Sequence, residues 1–429
     1  MGTVCHADNP VVQTSFTADP APMVYNDTVY LYTSHDEDDA FGFKMFNWKC
    51  YTTTDMANWT DHGTIASLKT FSWANNNAWA PQCIYRNGKF YIYCPMNQNR
   101  GGMAIGVAVS DSPFGPFTDP LGKPLVVGSY DPTEFIDDDG QAYLYWGGNG
   151  PCYYVKLNND MISYSGDIVQ VTSKPRNYQE GPWFYRRKDL YYLAYASTCC
   201  PEGIGYATST NATGPWTYKG MIMDPNKLSS GNHPGIIDFK GKSYVFGFNY
   251  TLNWEITDVH RERRSVCVAE MTYNDDGTIQ KVPWWTKEGV PQVGGFNPYA
   301  QVEAATICYE KGVKTKPRSG DTQGVYVNVT ENAAYIKVKG VDFGDKGATN
   351  FLASVATVTD GTTITLRLDS ETGNAIGTLK VKSTGALDKW DAQSCKITGA
   401  KGVHDLYLKF FGNGTPLMNF DWWKFEQGD

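Results

Sequence analysis

The stretch DPTEFIDDDGQAYLYWG, residues 131–147, decides the fold once it is laid beside the rest of the chain. It runs from a proline through a few apolar residues into a turn, then into a strand rich in tyrosine. Four other stretches repeat that plan: APMVYNDTVYLYTS (21–34), APQCIYRNGKFYIYCP (80–95), GPWFYRRKDLYYLAYAS (181–197) and HPGIIDFKGKSYVFGFNY (233–250). Their prolines, Pro22, Pro81, Pro132, Pro182 and Pro234, lie 59, 51, 50 and 52 residues apart. Each stretch reads as a β-hairpin, because turn residues such as RNGK and FKGK separate two strand-like runs. A second strand–turn–aromatic element, as in VAVSDSPFGPFTD and YATSTNATGPWTYKG, accompanies the hairpins and makes four strands per unit. Five such units of about fifty residues predict an all-β fold, a five-bladed β-propeller over residues 10–292, in which radial repetition hides all but short strand edges.

The bulk of the chain agrees. At 429 residues it is long for one domain. Aromatic residues make up 14% and charged residues only 19%, a balance that suits strands and flat polar ligands such as sugars. The net charge of −8 argues against a nucleic acid or an anionic membrane as partner. No run of eighteen apolar residues predicts a transmembrane helix. The start, MGTVCHADNP, has neither the basic nor the apolar part of a signal peptide. The expectation is therefore a cytoplasmic protein, with a secreted one whose signal has been removed as the alternative. The ten cysteines show no metal-ligand spacing and are expected to be reduced, the vicinal pair Cys199–Cys200 being the one place where a disulfide could form.

In a propeller the first strand of every blade runs along the central axis, so equivalent positions share one pocket. At or just before each repeat's proline stand Asp19, Trp79, Asp131, Glu180 and His233. Three carboxylates in one pocket suit glycosidic bond cleavage, which needs one protonated acid and one ionised base. A neighbouring like charge raises the acid's pKa, and the tryptophan of EGPW beside Glu180 makes that residue the better acid. Of the five acids at 131–139, Asp137, Asp138 and Asp139 fall in the hairpin turn, where their charge reads as incidental. Glu134 receives no role. Only Asp131 stands in the axial column.

These motifs resemble glycoside hydrolase family 43 over roughly residues 10–290. ADPAP looks like that family's general-base motif, which implies Asp19 as base. SYDPTEFIDDDGQAYLYWGG is similar to the segment of the auxiliary aspartate, here Asp131, which tunes the acid and orients substrate. EGPW looks like the general-acid motif, so Glu180 would protonate the leaving group, with inversion of configuration. His233 in SGNHPG matches a histidine that contacts a calcium-centred water cluster on the axis. Arg264 in RERRSVCVAEM matches an arginine near the sugar and the auxiliary aspartate. Trp73 and Trp79 are candidates for a stacking wall, with Trp79 preferred.

After a Gly/Pro-rich linker at 293–301, residues 302–429 alternate in strand fashion, as in TTITLRLDS and DLYLKFFG, and predict a β-sandwich. Residues 1–9 are read as a tail. QVEAA, YIKVKGVDFG and MNFDWWKF, in that order, resemble carbohydrate-binding module family 6, a jelly roll. The resemblance implies a cleft where Tyr326 and Trp390 sandwich a sugar ring and Asn419 holds its hydroxyls. It also implies a structural calcium between Glu303 and Asp421, although Ala305 stands where a further acid is usual. The expected function is an exo-acting, inverting α-L-arabinofuranosidase working on arabinoxylan or on xylan-derived or arabino-oligosaccharides. The alternatives are a β-D-xylosidase, an enzyme with both activities, and, from another class, a non-catalytic carbohydrate-binding propeller.

Overall fold

The computed structural model describes residues 6–227, 229–318 and 324–428. Two compact units emerge. One comprises Phe16–Cys50 and Thr64–Lys287; the other joins the described residues up to Ser15 with Tyr51–Gly63 and the chain from Glu288 onward. Strand dominates throughout, and among the described residues Thr251–Ile256 is the single α-helix.

Five antiparallel sheets follow one another along the chain, one for each repeat. The first begins with Phe16–Tyr25 and Thr28–Asp36 and continues into Asn47–Thr53 and Trp59–Ser67. The second is built on Gln82–Arg86, Lys89–Gln98 and Met103–Ser110; the third holds Thr133–Ile136, Ala142–Trp146, Tyr153–Leu157 and Tyr164–Gln170. The fourth runs through Tyr178–Arg187, Leu190–Ser197, Gly203–Ser209 and Thr217–Met223. The fifth, Gly235–Phe239, Lys242–Asn249 and Ser265–Met271, has three strands where the repeat predicted four. Three of the leading hairpins close with two-residue loops, Asn26–Asp27, Asn87–Gly88 and Lys240–Gly241, whose residues all have positive φ. That is the type I′ geometry whose twist matches the strands, and Asn, Asp and Gly tolerate it best.

The tyrosines of the repeat have a common task. Each sits on the second strand of its sheet, is buried, and donates its hydroxyl to a backbone carbonyl in an outer turn of the next sheet. Tyr32 reaches Pro113 O at 2.9 Å, Tyr93 reaches Met161 O at 2.5 Å, Tyr145 reaches Ala212 O at 2.6 Å and Tyr192 reaches Gly277 O at 2.7 Å. A buried hydroxyl needs such a partner, and the aromatic body fills the space between sheets. The series stops at the fifth sheet: the buried hydroxyl of Tyr244 has no partner among the described residues. The acids of the 137–139 turn are not idle either, contrary to the reading above. Arg186 of the fourth sheet donates to Asp137 at 3.0 Å and to Asp138 at 2.7 Å, and Tyr191 donates to Asp137 at 2.6 Å.

In the second unit two sheets enclose one apolar core. One sheet orders Val313–Pro317, Val325–Val329, Met418–Gln427, Ala348–Ala356 and Asp391–Ala400, with Val302–Glu303 also on Met418–Gln427. The other orders Tyr309–Lys311, Tyr335–Asp342, Val403–Phe411, Thr362–Leu368 and Ala375–Val381. Leu406, Leu408 and Phe410 alternate inward along their strand to meet Val327, Phe351 and Trp423 from the facing sheet. That is the period-two pattern of a sandwich. The boundaries differ from those read off the sequence. His6–Asp8, in the supposed tail, pairs with Glu288–Pro291, and Lys337 holds Asp8 at 2.7 Å. Thr306–Ile307 adds to residues 59–60, and the Asn58 amide completes the backbone bonds of Lys339. A side chain acting as a strand partner leaves no trace in hydropathy, so a cut made along the sequence misses it. One disulfide, Cys199–Cys200, is present where reduced thiols were expected; the other described cysteines form no disulfide, and Cys5 lies outside the described residues.

Candidate active site

Asp19 and Asp131 take the left-handed backbone conformation, with φ of 51° and 58°, and so does Gly181 at 60°. Each directly precedes a proline. At Asp19 the ladder gains one residue: Ala18 faces Ser34 but Ala21 faces Tyr32. The same happens beside Glu180, which faces Ala196 while Trp183 faces Ala194. Such bulges re-aim a side chain out of the alternation of the strand. A left-handed L residue costs about 1–2 kcal/mol and persists where its surroundings demand it. At position 181 only glycine fits, since a Cβ would lie 2.5 Å from His233 Cδ2. A bulge ahead of a proline is thus the local device that turns the acids inward. In the first repeat that proline is Pro20, not the Pro22 used to align the sequence.

The result is a cavity of about 240 Å³ lined by Asp19, Phe43, Trp79, Tyr130, Asp131, Asn149, Glu180, His233 and Arg264. It therefore unites every residue of the predicted axial column with Arg264. Trp73 stays outside it and donates to Asp119 at 3.0 Å. The volume is below the roughly 300–1,000 Å³ of pockets for drug-sized ligands, so it suits one small ring. Trp79 meets Phe43 at a ring separation of 5.7 Å and Tyr130 edge-on at 5.3 Å.

Arg264 was expected near the sugar and the auxiliary aspartate; it lines the same cavity as Asp131, and its hydrogen bonds go to other carboxylates. Its Nη1 donates to both oxygens of Asp19, at 3.1 and 3.3 Å, while Nε and Nη2 grip Asp36 at 3.0 and 2.8 Å. Ser34 donates to Asp19 at 2.5 Å, and His233 Nδ1 lies 3.3 Å from it. Burial would push Asp19 up, but Arg264, His233 and Ser34 outweigh it and hold its carboxyl far below the usual range. Burial pushes Asp131 up to about 8, with Glu180 and Asp19 adding to it against His233 and the Gly181 N–H, which donates at 3.2 Å. Burial raises Glu180 as well, helped by Asp19 and opposed by His233 and Arg264. Two such groups resist joint ionisation and titrate as a pair. The cavity thus offers one ionised carboxylate facing a pair that keeps a proton.

Burial disfavours a charge on His233, yet Asp19, Asp131 and Glu180 carry it up to about 9. An imidazolium has no lone pair for a cation, so a metal beside it would have to displace its proton.

Besides the lining residues Phe43, Tyr130 and Asn149, three contributors behind the cavity wall escaped the sequence reading. Asp36, wholly buried at the end of the first hairpin, fixes Arg264; Ser34 steadies Asp19; and Glu202, buried behind Glu180, accepts from Asn232 N at 3.3 Å and is pushed up to about 9 by burial and by Glu180. None falls in the repeat column, so periodicity held no signal for them. Asp36 touches the arginine and not the cavity. Asp36→Asn is accordingly expected to lower kcat about 100-fold with KM little changed, because a misaimed base slows chemistry more than binding. Steady-state kinetics beside an unchanged circular dichroism spectrum check this.

The larger cavity, about 470 Å³, lies on the sandwich and includes Glu303, Arg318, Tyr326, Trp390 and Asp421. Its two predicted aromatics touch each other, with ring centres 5.4 Å apart at 65°, so no sugar ring fits between them. Asn419 is buried, accepts from Asn328 at 2.6 Å and donates to Leu387 O at 2.7 Å. Its amide is engaged by the protein rather than held open for hydroxyls. Glu303 and Asp421 both accept from Arg318 at 2.5 Å.

Residues 7–279 match Glycosyl hydrolases family 43, and residues 303–427 match Carbohydrate binding module (family 6). An arabinoxylan arabinofuranohydrolase of Paenibacillus polymyxa is 35% identical over 97% of this chain and 74% of its own length. A xylosidase/arabinosidase, 43A, of Humicola insolens is 30% identical over 63% of this chain and 98% of its own. The crystal structure of a glycoside hydrolase family 43 arabinoxylan arabinofuranohydrolase from Bacillus subtilis, in complex with cellotetraose, is similar at a TM-score of 0.88. Its identity is 31%, and the match covers 98% of this chain and 97% of that one.

Proposed function

The chain belongs to glycosyl hydrolases family 43, and from that premise we propose that it removes terminal α-L-arabinofuranosyl groups from arabinoxylan or its oligosaccharides, with inversion. The observation that carries the reading is the single-ring cavity in which Asp19, gripped by the Arg264 guanidinium, is lined up with Asp131 and Glu180, whose pKa values burial raises. Asp19 takes a proton from water as the water oxygen bonds to the anomeric carbon. Glu180 gives its proton to the departing glycosidic oxygen, so the bond breaks without releasing an alkoxide. Asp131, on the Gly181 N–H, holds the acid's segment in place. Five sheets joined in series by tyrosine hydroxyls, with a leading residue of each lining one cavity, support reading them as the blades of a propeller. On the sandwich, the exposed face of Trp390 is where a sugar would stack.

A β-D-xylosidase activity at the same site is the second reading, favoured by the resemblance to the xylosidase/arabinosidase of Humicola insolens. Rates on aryl α-L-arabinofuranoside and aryl β-D-xyloside separate the two. The expected result is a kcat/KM at least about tenfold higher on the arabinofuranoside, a difference of about 1.4 kcal/mol in transition-state binding. A preference for the xyloside would move the assignment.

A further inference from the structure

We infer that the guanidinium of Arg318 takes the place that the family resemblance gives to a structural calcium ion, so that the sandwich ties its first strand to its last through an ion pair. Val302–Glu303 lies directly on Met418–Gln427, with Glu303 opposite Trp422 and Ala304 N donating to Asp421 O at 2.9 Å. The Glu303 and Asp421 carboxylates therefore stand side by side, and two like charges at such a point need a cation between them. Arg318, just past the end of Val313–Pro317, supplies it: Nη2 donates to Glu303 Oε2 and to Asp421 Oδ1, each at 2.5 Å, and Nε reaches Asp421 Oδ1 at 2.9 Å.

The donor set does not suit the metal. Calcium takes about six to eight oxygens, and Ala305, buried and without a side-chain oxygen, stands where a further acid would be needed. Among the described residues no group of three or more His, Cys, Asp or Glu side chains converges as a cation site would require. A guanidinium, by contrast, is permanently charged and presents its N–H groups in a fixed plane, which lets one arginine bridge two carboxylates. A chelator cannot remove it.

The test is thermal unfolding of the full chain, each protein scanned in excess EDTA and again in millimolar CaCl2. Arg318→Ala leaves the two acids side by side without their cation, so its Tm in EDTA is expected to fall by roughly 5 °C, and adding Glu303→Gln should recover part of that loss. Calcium is expected to shift the Tm of the parent and of Glu303→Gln alike. An unchanged Tm in Arg318→Ala would overturn the inference. Should Arg318→Ala fail to fold, the parent and Glu303→Gln are compared instead. Identical calcium responses uphold the inference, and a response that the parent shows and Glu303→Gln lacks refutes it.

Discussion

Glu180→Gln is expected to lower kcat on arabinoxylo-oligosaccharides by roughly 10³-fold, within the 10²–10⁴ that a positioned general acid contributes. The leaving group there is a sugar hydroxyl, which departs slowly unless protonated. An aryl arabinofuranoside with an acidic phenol needs less help, so the same variant should lose far less on it. The pH profile carries the same signature. The parent needs the proton on Glu180, whose pKa burial raises, so activity is expected to persist above the ordinary carboxylate range and to fall as pH climbs through that raised pKa. Glutamine cannot titrate, and this limb should vanish in the variant. Undiminished turnover of oligosaccharides by Glu180→Gln would remove the residue from the role of acid.

The larger loss is expected at the base. Asp19→Asn should reduce kcat roughly 10⁴-fold on every substrate, aryl glycosides included, because water then attacks without a proton acceptor. Leaving-group acidity cannot compensate for that, which distinguishes the two variants. Asparagine also leaves Arg264 with Asp36 as its one remaining carboxylate partner among those seen here. In the parent, the first sugar released from an α-L-arabinofuranoside should be the β anomer, followed by proton NMR before mutarotation. Initial release of the α anomer would mean two displacements and a nucleophile, and would end the reading of Asp19 as a base acting through water.

Repetition is what made this chain legible. The five proline–hairpin–tyrosine stretches correspond to five sheets, and the column before the prolines supplied Asp19, Trp79, Asp131, Glu180 and His233, all of which line one cavity. What repetition cannot carry is anything specific to one repeat. Asp36 is unmatched in the other hairpins, and its value lies in a guanidinium more than two hundred residues away in sequence. Glu202 follows a vicinal disulfide in a loop with no counterpart. Residues 51–63 are a related case, since they sit within the first repeat yet group with the sandwich strands. In the sandwich, residue types were read correctly as aromatic and amide, but whether two rings flank a gap or touch depends on a few ångströms of backbone. Composition holds no such information.

Tyrosine hydroxyls join each sheet to the next from the first to the fifth, and Tyr244 has none to offer onward. Between the fifth sheet and the first, besides an ion pair of Lys240 with Asp27 at 3.7 Å, the bonds include those of the candidate site: Arg264 to Asp19 and Asp36, His233 to Asp19, and the Arg264 carbonyl accepting from Thr17 N at 3.0 Å. The consequence concerns heat and wear. Parting that junction would also release Asp19 from the guanidinium that keeps its carboxyl ionised. Opening of that junction and loss of activity are therefore expected to come together, and a sugar bound at Asp19 is expected to hold the first and fifth sheets against each other.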